Sequence, residues 1–118
     1  MLPKKLVEQY ASGVDVRKKI TTDNSGSHTT ALTPYERLVE VDSALGVGTV
    51  NLPDVGSCEG LEFWIEATTG ATQTVTVSEK ASGNSLDWPG DASLNANYDR
   101  VGYKSDGKRW WKISDQYT

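Results

Sequence analysis

Few side chains of this 118-residue sequence are spaced for chemistry. Glu62 and Glu66 are four positions apart on a segment that alternates like a strand, which separates the carboxylates by roughly 13 Å, too far for a direct acid/base pair. Cys58 is the only cysteine and His28 the only histidine, and they lie far apart in sequence. That excludes an internal disulfide and gives a nucleophile–base site little to start from. Asp87, Asp91 and Asp99 lack the spacing that converges oxygens on calcium, and read instead as solvated turn carboxylates. Gly46-Val47-Gly48 lacks the lysine and hydroxyl residue of a phosphate loop and reads as a turn. No catalytic, cofactor or metal site is expected. What remains are four tryptophans, Trp64, Trp88, Trp110 and Trp111, whose chemistry is contact with a protein partner or stacking on a ligand.

The elements that would position them are strands. The clearest is a hairpin from Tyr98 to Ile113: Val101 and Tyr103 precede Asp106-Gly107, and Trp110, Trp111 and Ile113 follow. A two-residue turn there sets Tyr103 opposite Trp110 and Val101 opposite Lys112, and leaves Trp111 and Ile113 on the other face with Gly102. One strand then carries a tryptophan on each face, more apolar surface than a single sheet core requires, so a second surface is expected to cover it. Leu61 to Ala67 alternates cleanly, with Leu61, Phe63, Ile65 and Ala67 on a core face and Glu62, Trp64 and Glu66 outward. Leu38, Val39 and Val41 form a strand before a turn at 42–48, Val50 and Leu52 share a face of the next, and the pair reads as a hairpin. Cys58 reads as semi-buried in the loop that follows. Val75 and Val77 point inward from another strand, Trp88-Pro89-Gly90 is a turn whose tryptophan plugs one end of the sandwich, and Ala92 to Asn95 is a short strand.

Composition agrees. Eleven glycines and 36% hydrophobic residues fit a turn-rich, all-β domain: a small antiparallel β-sandwich or barrel-like module with an N-terminal arm. The arm and linker are residues 1–33 and the β module residues 34–118. Leu2 to Ala11 has the partial stripe of a short helix, Val14 to Ile20 alternates weakly, and 21–33 is a polar run. Residues 1–20 carry five Lys or Arg and two Asp or Glu (+3), leaving seven and fourteen (−7) for the rest of the −4 chain. An acidic body argues against nucleic-acid binding, and a basic arm suits docking on an acidic surface. Lys4, Lys5, Leu6, Tyr10, Arg17, Lys18 and Lys19 are the candidate docking residues; Trp64, Trp110 and Trp111 are the candidate oligomer or ligand face. No segment is apolar enough for a signal-peptide core or a membrane-spanning helix, so a protein made in the cytoplasm with no membrane partner is expected.

The ordered set LVEVDSALGVGTVNLP, GLEFWIEATTGATQTVTV and LNANYDRVGYKSDGKRWWKI resembles a β module of tailed-bacteriophage virion proteins, over Leu32 to Ile113. The resemblance implies a structural, non-enzymatic module of the kind found in tail fibres, tail spikes and capsid decoration or head-fibre proteins, often homotrimeric. One module behind a basic arm is more similar to a decoration (cement) protein bound to the major capsid protein on the virion surface. The alternative is a tail-fibre or receptor module whose tryptophans stack on a glycan.

Overall fold

Strands form where apolar and polar residues alternate, and they fall into two sheets in the computed structural model, which describes residues 16–22, 28–44, 46–68, 73–79 and 87–117. Strands β1 (Val16–Thr21), β3 (Glu36–Asp42), β5 (Glu62–Ala67), β8 (Arg100–Ser105) and β9 (Trp110–Gln116) make a five-stranded sheet in that order. Strands β2 (His28–Ala31), β4 (Gly48–Asn51), β6 (Val75–Ser78) and β7 (Ala92–Leu94) make a four-stranded one. As far as β6, consecutive strands alternate between the sheets, so β1–β2, β3–β4 and β5–β6 are three coils, each giving one strand to each sheet. Their strands stack in parallel. The chain then closes the sandwich with antiparallel pairs, β7 on β6, β8 on β5 and β9 on β8.

The inward residues form one core between the sheets. Ile20, Val41 and Ala67 lie in one register across β1, β3 and β5, and Val50 meets Val77 across β4 and β6. Phe63, Ile65, Val75, Val77, Leu94, Val101, Tyr103 and Trp110 are wholly buried, and Leu61 packs partly against them. The inward faces expected from alternation on β4, β5 and β6 are therefore those of the folded chain. An all-β sandwich is what the chain makes, with mixed rather than purely antiparallel sheets.

Four expectations need correction. First, β3 and β4 are not a hairpin. Both edges of β3 are occupied by β1 and β5, and the chain crosses to the other sheet after Ser43. That crossing is tied to the preceding coil, where Thr22 donates a 2.6 Å hydrogen bond from its buried hydroxyl to the Gly46 carbonyl. Alternation followed by glycines is common to a hairpin and an arch between sheets, so the pattern alone does not separate them.

Second, residues 16–22 and 28–33, the described part of the expected linker, are not a linker. They hold β1 and β2, whose partners lie a coil further on, and Ile20 and Leu32 enter the core. The polar residues of β2 itself still form a strand because their backbone pairs with β4, and Leu32 N–H continues the ladder to Asn51 at 2.9 Å. Residues 1–15, with the expected helix at 2–11, lie outside the described residues.

Third, β8 and β9 do form the expected hairpin, in a different register. Tyr103 opposes Lys112, Ser105 opposes Trp110, and Val101 opposes Asp115, with a bulge at Gly102/Tyr103. The turn takes Asp106 to Arg109: Asp106 N–H bonds the Arg109 carbonyl at 3.1 Å, and Gly107 supplies a φ of 92° that other residues resist. Fourth, Cys58 is fully buried after a single 3-10 turn, Val55–Ser57, and burial pushes its thiol up to about 11.

Candidate interaction surfaces

The four tryptophans have four different settings. Trp110 faces inward from β9 and meets Phe63 edge-on, ring centroids 5.5 Å apart, so it is core and has no part in an outer face. The inward register of β9 puts it there, opposite Ser105. Trp88 is half-buried and closes the sandwich, stacked on Tyr103 at 5.2 Å, with its Nε1 donating to Asp91 at 2.9 Å. Tyr103 in turn donates its hydroxyl to the Gly90 carbonyl, and burial raises that phenol well above its ordinary value.

Trp111 and Ile113 are exposed on β9, an edge strand, at 47% and 43%. Trp111 is nonetheless fixed in position. Its Nε1 donates to Asp106 at 3.0 Å and the Arg109 guanidinium lies 4.0 Å from its ring centre. Arg109 also pairs with Asp87 at 3.6 Å. Asp106 accepts from the Trp111 indole and from the Lys108 and Arg109 amides, which together hold its carboxyl down at about 2.

Trp64 points outward from β5 at the middle of the five-stranded sheet. Across one register row it lies between Leu38 on β3 and Gly102 on β8. Gly102 has no Cβ for a reason: one placed there would come within 2.8 Å of the indole. Trp64, Leu38, Glu40, Glu66, Arg17 and Arg100 line a shallow depression of about 230 Å³. Its rim is tied by two ion pairs, Arg17 to Glu40 at 3.8 Å and Arg100 to Glu66 at 3.5 Å.

Of the residues assigned to a docking arm, Lys4, Lys5, Leu6 and Tyr10 lie outside the described residues. Arg17, Lys18 and Lys19 are strand residues of β1. Two of these cations answer carboxylates of this same chain, Lys18 meeting Glu36 at 2.9 Å and Arg17 meeting Glu40. The three turn aspartates have separate duties: Asp87 pairs with Arg109, Asp91 also accepts from Ser78, and Asp99 accepts the Asn95 and Ala96 amides. Asp99 is buried rather than solvated, because it caps that turn from inside. Among the described residues no three His, Cys, Asp or Glu side chains are grouped to hold a metal ion.

Sequence reasoning missed Leu38, Glu40 and Arg100 as neighbours of Trp64. Two signals pointed to them: Leu38 breaks the polar side of the Glu36–Glu40 alternation, and Gly102 is a glycine inside a strand, a mark of close approach. No family model matches the sequence, and no curated protein is significantly similar to it.

Proposed function

We propose that the protein is a non-enzymatic decoration protein of a tailed-phage capsid, bound to the major capsid protein on the virion surface and associated with copies of itself as a homotrimer. The observation that carries this reading is the exposed pair Trp111 and Ile113 on the edge strand β9. An edge strand with open backbone groups and outward apolar side chains is a liability for a free monomer and an asset for a subunit that will be covered. The ordered likeness to virion β modules over Leu32 to Ile113 supports the same reading, as does the contrast between the acidic body and the lysines at positions 4 and 5. In this reading β9 meets the neighbouring copy, and residues 1–15 reach the capsid.

The test is binding to expanded capsids by the full chain and by a chain lacking residues 2–13. The cut stops short of Val16 because β1 belongs to the five-stranded sheet. Loss of capsid binding with an unchanged solution mass supports the reading. Unchanged binding, or a full chain that is monomeric and ignores capsids, overturns it.

A further inference from the structure

We propose that the depression on the outer face of the five-stranded sheet is a binding site for a neutral sugar ring, with the Trp64 indole as its platform. The inference does not depend on the virion reading. It begins with how Trp64 is seated. A Cβ built on Gly102 would meet Cε3, Cζ3 and Cη2 of the indole at 2.9, 2.8 and 2.9 Å. Near-equal distances to three consecutive ring atoms place that point over the ring face, because an approach in the ring plane would leave the outer two atoms markedly farther than the middle one. One face of the indole therefore lies on the β8 backbone, and the half-buried ring also lines the depression together with Leu38 on the neighbouring strand. A hydrogen bond of 3.3 Å from Nε1 to Glu62 fixes the ring about its own axis. The platform is preorganised, so little side-chain freedom is lost when a ligand arrives.

The rim selects the ligand. Two arginines and two glutamates surround the indole as ion pairs, so the depression carries no net charge. An anion arriving beside Arg17 and Arg100 also meets Glu40 and Glu66, and a cation meets the reverse. A purely apolar ligand would strip water from four charged groups and return no hydrogen bonds. A guanidinium offers five donors and a carboxylate several acceptor positions, more than the two ion pairs and the 2.7 Å bond from Arg100 Nε to Gln116 use. The ligand that suits an apolar platform ringed by both donors and acceptors has a face of C–H groups and a perimeter of hydroxyls, which describes a neutral pyranose. A volume of about 230 Å³ is below that of an ordinary drug-sized pocket and fits one ring rather than a long chain. One small ring on one shallow site binds weakly, and an array of copies would raise the affinity through multivalency.

The experiment uses the full-length chain. An array of neutral and acidic oligosaccharides identifies the best neutral ligand, and its methyl glycoside is titrated while the four indole N–H signals are followed by NMR. The expected result is a saturable shift of the Trp64 signal with the Trp110 signal unmoved. Trp64→Ala should weaken binding at least about tenfold, with Arg100→Gln weakening it less. Should Trp64→Ala fail to fold, the Trp64 shift in the parent and its weakening in Arg100→Gln decide the matter. Absence of any neutral ligand on the array, a shift centred on another tryptophan, or preference for glucuronic acid over glucose overturns the proposal.

Discussion

The two halves of the sandwich are filled in different ways. Between the coils, the core is made of columns of small aliphatic side chains: Ile20, Val41 and Ala67 in one row, Val39 beside Ile65 in the next, Val50 beside Val77 across the gap. Around the closing strands it is made of a few large rings, Phe63 on Trp110 and Trp88 on Tyr103. The backbones differ likewise. Coil strands run parallel and pair with partners a whole coil away, whereas β8 and β9 pair through a short turn. Stability in the coil half is thus spread over many modest contacts, each needing distant segments to meet. In the closing half it is concentrated in single side chains on a locally formed hairpin.

The comparison is tested most severely at Trp110. Removing a buried indole that meets Phe63 edge-on should cost about 3 to 5 kcal/mol, a large share of the stability of a domain this size. In a urea titration the midpoint of Trp110→Ala should fall far below that of the parent. Val41, also wholly buried, should lose about 2 kcal/mol on substitution by alanine, because two methyl-sized groups leave a small gap that neighbouring aliphatics can partly close. Equal losses at the two sites would erase the distinction. Cys58 gives a convenient readout: its thiol, buried and pushed up to about 11, should ignore a thiol reagent at pH 8 until the core opens, and should react sooner in Trp110→Ala.

The same division decides what could be read from the sequence. Strand faces were legible on β4, β5 and β6, since period-two alternation there records burial wherever the partner strand lies. The closing hairpin was legible because Asp106-Gly107 places both strands within one local window, although the register was not: the bulge at Gly102 and the Asp106–Arg109 turn shift each pair. The coils were illegible for a physical reason. Ile20 finds Val41 and His28 finds Gly48 only through pairings that skip a strand, and the next step along the stack, Val41 to Ala67 and Gly48 to Val75, is longer, so no fixed repeat betrays them. β1 and β2 accordingly looked like an arm. Trp64 was visible as an outward aromatic, but its seat on Gly102 and the ion-paired rim depend on the order β1-β3-β5-β8, which alternation does not encode.

An intermediate effect is expected where the two halves meet, between β5 and β8. Gly102→Ala puts a methyl group within 2.9 Å of three atoms of the Trp64 ring, so the indole must lift from its seat or the strand must shift. Overpacking of this kind costs about 1 to 3 kcal/mol. Trp64→Ala removes the obstacle, so in the double variant the Gly102→Ala substitution should cost close to nothing. A double-mutant cycle in urea measures the coupling directly. Additive losses would mean that the ring and the backbone are not in contact.

The smallest expected effect lies at the tip of the closing hairpin and is one of pH. Asp106 is exposed, yet its carboxyl is held at about 2, by the Trp111 indole N–H first and then by the Lys108 and Arg109 amides. In the unfolded chain an aspartate titrates at about 3.9, so between these values the unfolded state binds more protons than the native one. The stabilisation from ionised Asp106 is therefore fully present above pH 4 and is lost as pH falls through about 2. Asp106→Asn keeps an acceptor for the turn amides but carries no charge to lose. It should melt slightly below the parent at pH 6, and the gap should close by pH 2. A gap of constant size would mean that these hydrogen bonds are insensitive to ionisation, and the closing hairpin would then owe its local order to the Gly107 turn and the buried rings alone.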